Sequence, residues 1–233
     1  MNILLTGASR GIGAATLETL ISSGHKVAGH STRGDSGLIA GDLADPAAPC
    51  KIWDTALDRL GGRIDVLVNN AGIYEGVAED ASDEDWHAAW QRTLTVNLQS
   101  AADLCRLAVN HFREHGGGRI INVASRAAFR GDSPQHWHYA ASKSALIGMT
   151  KTIARGYAAE GILAFAVAPG FTVTDATEEY LEGRGGAQIV GDIPLGRVTS
   201  PTEVAKAICW LAIDAPAAST GSVIDLNGAS YVR

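Results

Sequence analysis

A chain of 233 residues, 46% apolar and 19% charged, is long enough to bury one sizeable core, and its 27 glycines fall between periodic segments rather than in a repeat. A formal charge of −6 with scattered cations argues against nucleic acid as the main partner, and no apolar run approaches the ~18 residues a membrane span needs. Cys50, Cys105 and Cys209 are widely spaced and odd in number, so they read as reduced thiols of a cytoplasmic protein rather than a disulfide or metal set.

The first strand is expected at residues 3–6, too close to Met1 for a signal peptide. Further short apolar or β-branched runs follow at 26–30, 37–41, 64–69, 119–124, 162–168 and 222–226. Most are continuously apolar, as strands buried on both faces are. Helical patterns occupy 12–23, 49–60, a long stretch from 83 to 115, 139–159 and 201–213. Strand and helix in alternation predict a single-domain, doubly wound α/β sheet of about seven parallel strands with helices on both faces, a Rossmann fold spanning 1–233. One link is odd. About seven residues join the second strand to the third, where a parallel crossover usually takes a dozen or more. His111 and His115 lie one helical turn apart at a charged helix end, with no third ligand nearby; they are expected to face solvent, and no metal site is expected.

The first strand runs into Gly7, Ala8, Ser9, Arg10, Gly11, Ile12 and Gly13, and then into a helix. Glycines at a strand-to-helix turn let the backbone approach a pyrophosphate, and the helix N-terminus offers it unpaired N–H groups. The second strand ends without the acid that binds the ribose hydroxyls of NAD; Ser31, Thr32 and Arg33 stand there, with Arg10 in the glycine turn. Hydroxyls and cations suit a 2′-phosphate, so NADP(H) is expected to be preferred, while Asp35 nearby leaves NAD(H) open.

Tyr139 and Lys143 are four apart in a helical segment and therefore share a face. A lysine cation close to a tyrosine is expected to lower the phenol's pKa from its ordinary ~10 and make it a usable acid and base. Ser125 ends the fifth strand, at the carboxyl edge where doubly wound sheets place their sites, and its hydroxyl can stabilise charge developing on a substrate oxygen.

Taken in order, the glycine turn 6–13, Asn69-Asn70-Ala71-Gly72, Asn97, Ser125, Tyr139 with Lys143, and Pro169-Gly170 resemble the short-chain dehydrogenase/reductase family over nearly the whole chain. The resemblance implies an NAD(P)-dependent oxidoreductase with Asn97, Ser125, Tyr139 and Lys143 as catalytic residues. Lys143 would also hold the nicotinamide ribose, and Asn97 would mark a helix kink and hold a proton-relaying water. It implies that Asp42, beside Leu43, accepts from the adenine amine, that Asn70, Ala71 and Gly72 pass the central ribose, and that Pro169, Gly170, Thr172 and Thr174 flank the nicotinamide.

Three departures stand out. Ser125 and Tyr139 are fourteen apart, one more than usual, so the loop 126–138 must bulge; Phe165 stands where the family often has asparagine; and the second crossover lacks its helix. The loop 126–138, with Phe129, Arg130, His136, Trp137 and His138, and a mobile lid over about 171–200 carrying Gly183, Gly185, Gly186 and Gly191, are expected to line the pocket of a small carbonyl or alcohol substrate. The nearest subgroup is the 3-oxoacyl-[acyl-carrier-protein] reductases, but Gly116, Gly117, Gly118 and Glu160 replace its carrier-docking cations. A reductase of a free ketone or sugar is an equal alternative, and a non-catalytic NADP(H)-binding regulator a third. The family's habit implies a homotetramer.

Overall fold

The computed structural model describes residues 1–172 and 186–233, apart from the side chains of residues 187 and 189. Seven parallel strands form one sheet in the order β3-β2-β1-β4-β5-β6-β7: β1 (Asn2–Leu5), β2 (Lys26–Ser31), β3 (Ile39–Ala40), β4 (Val66–Asn69), β5 (Gly118–Val123), β6 (Ile162–Pro169) and β7 (Val223–Leu226). The doubly wound architecture read from the alternation is therefore the one observed. Its continuous apolar runs have a direct cause. In β1, Leu4 packs on one face with Ile52 and Trp53 of α2 (Ala48–Arg59), whereas Ile3 and Leu5 pack on the other with Leu20 of α1 (Gly11–Ser22). Successive side chains point to opposite faces, and both faces are covered. Phe165, the departure in β6, is fully buried among the α1-side residues and is a core residue.

The short second crossover is real. The connection through residues 32–38 carries one 3-10 turn, Asp35–Gly37, and no α-helix. It suffices because β3 is shorter than the expected run 37–41 and pairs only His30 with Ile39 and Ser31 with Ala40. The chain need not travel back along the sheet, only fold over, helped by Gly34 at φ +74°.

The long pattern at 83–115 is not one helix. α3 (Asp83–Leu94) is capped by the Ser82 hydroxyl, which accepts from the Asp85 N–H at 3.1 Å. A π-helical turn at Thr95–Gln99 then separates it from α4 (Ser100–Glu114). Within the loop 126–138 a short helix α5 (Ala127–Arg130) takes up the extra length, and α6 (Trp137–Tyr157) starts before Tyr139. The chain ends with α7 (Gly186–Gly191), α8 (Pro201–Ile213) and β7; Ser200 and Glu203 form a reciprocal capping box at the start of α8.

The histidine pair departs from expectation. His111 accepts from the Ile64 N–H at 3.1 Å, stacks on His115 at 3.9 Å and meets the edge of Trp53, so it packs against α2 instead of facing solvent. Among the described residues no group of three His, Cys, Asp or Glu could hold a metal, the three cysteines are free, and no helix is long and apolar enough to cross a membrane.

Candidate active site

β1 has β2 on one side and β4 on the other, so the crevice at their carboxyl ends is the switch point of the sheet. The glycine turn there is locked from below. The Thr6 hydroxyl accepts from the N–H groups of Asn70 and Ala71 at 3.0 and 3.1 Å, and the Asn70 amide donates to the carbonyls of Thr6 and Gly7 at 3.0 and 2.9 Å. A Cβ at Gly13 would lie 1.9 Å from the Gly7 carbonyl oxygen, so only glycine lets α1 start this close to β1. Arg10 is the N-cap of α1 in extended conformation; it makes no side-chain cap bond, and the first turn carries no acidic residue. The positive end of a twelve-residue helix is thus open to an anion beside exposed Ser9 and Arg10 and half-buried Gly11 and Ile12, and this donor set fits a dinucleotide pyrophosphate.

At the outer end, Ser31 is buried and its hydroxyl accepts from the Gly34 N–H at 3.0 Å, while Thr32 and Arg33 are exposed. The Asp42 carboxylate accepts from the Ala44 N–H at 3.0 Å, a turn-forming role, with Leu43 buried behind it. His30, which no motif singles out, ties this region together. It is 2% exposed, its Nε2 lies 2.8 Å from the Gly41 carbonyl, and its Nδ1 accepts from the Gly7 N–H at 3.4 Å. Burial lowers its pKa, which keeps the ring neutral and the two contacts compatible: Nε2–H donates and Nδ1 accepts.

The catalytic candidates converge at the carboxyl end of β5. Burial pushes the Tyr139 phenol up to about 12, opposed by a hydrogen bond with Ser125. The Ser125 hydroxyl also accepts from the Ala127 N–H at 3.1 Å, the first turn of α5. Lys143 is 4% exposed; its ammonium donates to the Val123 carbonyl at 2.9 Å and lies 5.8 Å from the centre of the Tyr139 ring. Burial brings its pKa down to about 8. Here the sequence expectation is corrected. The lysine does not lower the phenol's pKa in this state, because its ammonium is turned to a backbone carbonyl and burial dominates both groups.

The π turn brings Asn97 into this cluster. Its amide oxygen accepts from the Ile73 N–H at 2.8 Å and its amide nitrogen donates to the Ile73 carbonyl at 3.0 Å. Gly72 closes the arrangement: a Cβ there would lie 3.3 Å from the Asn97 amide oxygen and 3.4 Å from the Lys143 ammonium. On the far side, Gly170 follows buried Pro169, and its N–H donates to the Leu226 carbonyl at 2.9 Å. Thr172 is buried and pairs across with Thr199. Thr174, Gly183, Gly185 and the middle of the expected lid lie outside the described residues.

Several site residues carry no sequence signal. Tyr74 meets the Tyr139 ring edge-on at 4.8 Å, stacks on His136 at 3.9 Å and donates its hydroxyl to Asp132 at 3.1 Å. Trp86 and Trp90 continue this aromatic wall to exposed Trp137 and buried His138. A lone tyrosine or tryptophan outside any motif reads only as packing.

Comparison with known proteins places this geometry. A family model described as enoyl-(acyl carrier protein) reductase matches residues 7–228. The chain is 34% identical to the 3-oxoacyl-[acyl-carrier-protein] reductase FabG of Escherichia coli K12, covering 98% of this chain and 96% of that protein. It is also 34% identical to the uncharacterized short-chain type dehydrogenase/reductase y4mP of Sinorhizobium fredii, covering 99% and 97%. Among solved structures, the TT0495 protein of Thermus thermophilus superposes with a TM-score of 0.89 at 30% identity, covering 97% of each chain. A short-chain dehydrogenase of Burkholderia cenocepacia in complex with NADP superposes with a TM-score of 0.88 at 29% identity, covering 98% and 97%.

Proposed function

Because the chain belongs to the short-chain dehydrogenase/reductase family and is an NAD(P)-dependent oxidoreductase acting on CH–OH groups, we propose that it reduces a ketone to a secondary alcohol with NADP(H). The observation that carries the reading is the convergence of Ser125, Tyr139, Lys143 and Asn97 beside the glycine turn. Gly7, Gly11, Gly13, Ser9, Arg10 and Ile12 would hold the pyrophosphate, Asn70, Ala71 and Gly72 the central ribose, and Pro169, Gly170, Thr172 and Thr174 the nicotinamide end. Asp42 and Leu43 would border the adenine, and Ser31, Thr32 and Arg33 the 2′-phosphate. The dinucleotide supplies, when bound, the hydride for the carbonyl carbon.

The chain's own work is on the oxygen. Ser125 offers its hydroxyl to the carbonyl oxygen, where charge grows as the carbon is reduced. A phenol held protonated to about 12 is a poor base at neutral pH but a ready donor to an alkoxide, which is a far stronger base than a phenolate. Tyr139 thus gives its proton to that oxygen. Lys143, mostly ionised below about 8, places a positive charge near the phenolate that remains. Asn97 fixes the Ile73 backbone and, with it, the wall against which Lys143 lies.

Support for NADP(H) comes from exposed Arg33 two residues after buried Ser31, from exposed Arg10 in the glycine turn, and from a structural neighbour solved with NADP. A 3-oxoacyl thioester is one candidate substrate, given the 3-oxoacyl-[acyl-carrier-protein] reductases among the relatives. The test is oxidation of NADPH and of NADH against a panel of ketones, with Arg33→Ala alongside. We expect turnover with NADPH preferred, and an Arg33→Ala protein whose KM rises about 10-fold or more for NADPH alone. Cofactor binding without turnover on any ketone would contradict the reading, and equal use of both cofactors would contradict the ribose assignment.

A further inference from the structure

We infer that the crevice beside Ser125 takes a substrate bearing a carboxylate, a small oxo acid, and that Arg126 receives that group. The inference rests on the ketone-reductase reading and names its substrate class. Arg126 directly follows Ser125, and its main-chain N–H donates to the Pro169 carbonyl at 2.9 Å, which pins it between the ends of β5 and β6. Its side chain is 9% exposed. The guanidinium lies 4.8 Å over the Phe171 ring and donates from one Nη to the Ser230 hydroxyl.

Those contacts are a ring face and a neutral hydroxyl. Among the described residues no carboxylate lies within ion-pairing distance of Arg126. Asp192 pairs instead with Arg130 at 2.7 Å, and Asp132 accepts from the Tyr74 hydroxyl at 3.1 Å. Both acids and Tyr74 act on Arg126 only from a distance, and Arg130 opposes it. Among the described residues this cation meets no anion, and burying one in that way is costly. An anchor for the C-terminal tail needs no charge to bond a serine. A guanidinium presents five donors in a planar fork that matches a carboxylate, and among the described residues a single hydroxyl takes one of them. Its place follows from its neighbours: Ser125 precedes it in the chain, and its main-chain bond to Pro169 sets it beside Gly170, with Phe171 under the guanidinium.

The experiment compares 3-oxobutanoate, 4-oxopentanoate and 5-oxohexanoate with their methyl esters, in kcat/KM with NADPH and in calorimetric binding to the NADP⁺-loaded protein. For at least one length we expect the wild type to favour the acid by about 10-fold or more, and Arg126→Met to erase that preference while leaving the ester within about 2-fold. The inference is overturned if every ester matches or exceeds its acid in the wild type, a comparison that needs no variant to fold. It is overturned equally if Arg126→Met weakens acid and ester alike, as loss of a tail anchor would. Acid-selective binding that is lost in Arg126→Met, with no ketone turned over, would support Arg126 and sink only the ketone-reductase reading.

Discussion

The lysine of the site is held at some cost to the fold. A free lysine has a pKa near 10.5, and burial brings Lys143 down to about 8. Because its folded pKa is depressed, the penalty is present below about 8, where the buried group is still charged, and fades as pH rises from about 8 toward 10.5, where the unfolded chain loses the same proton. Its size is on the order of 3 kcal/mol. Lys143→Met should therefore melt higher than the wild type at pH 7, with a gain that shrinks by pH 9, while turnover is lost. A Lys143→Met protein that melts lower at pH 7 would show that the ammonium is well compensated. Spacing puts Tyr139 and Lys143 on one helical face, and the family resemblance added Ser125 and Asn97 to them. The state of the phenol was not legible, since it depends on burial and on where the ammonium points, and both are set by packing.

At the scale of elements, the π turn at Thr95–Gln99 is the clearest case of geometry made for one side chain. An unbroken helix through 83–115 would satisfy the hydrophobic pattern, which is why sequence periodicity reads it as continuous; the resemblance alone pointed to a kink at Asn97. Asn97 is 2% exposed, and both ends of its amide are bonded to the Ile73 main chain. Asn97→Ala leaves the partly buried N–H and C=O of Ile73 unpaired and should cost about 1–2 kcal/mol of stability by denaturant titration. It should also lower kcat, with the KM for NADPH less affected. An unchanged unfolding midpoint would mean that the Ile73 backbone finds water instead. The short β2–β3 link was equally visible as an anomaly of length, but that two paired residues suffice could be learned only from the register.

Across the whole molecule, the sheet is buried at its middle and half-exposed at its β7 edge. Every residue of β4 is buried, whereas all four of β7 are half-exposed, among them Ile224 and Leu226. Arg233 bonds the Val223 carbonyl and Asp225 there, and the half-exposed apolar residues left beside it are a surface that a second copy can cover. We therefore propose the homotetramer that the family resemblance implies. Light scattering at working concentration should return four times the 24.2 kDa chain mass, and a monomeric mass would contradict it. The parallel, doubly wound sheet and its two packed faces followed from alternation and continuous apolar runs, whereas the strand order came from the pairing. The aromatic wall did not: Trp137 was expected to line the pocket, but Tyr74, Trp86 and Trp90 come from other segments with no shared pattern.

The most direct measurement is Tyr139→Phe, which removes one oxygen and leaves the ring, its contact with Tyr74 and the fold in place. The account predicts that ketone reduction falls by about a thousand-fold while NADPH binding, followed by fluorescence, stays within about 2-fold of wild type. A Tyr139→Phe protein that reduces ketones at the wild-type rate would show that the proton comes from another group.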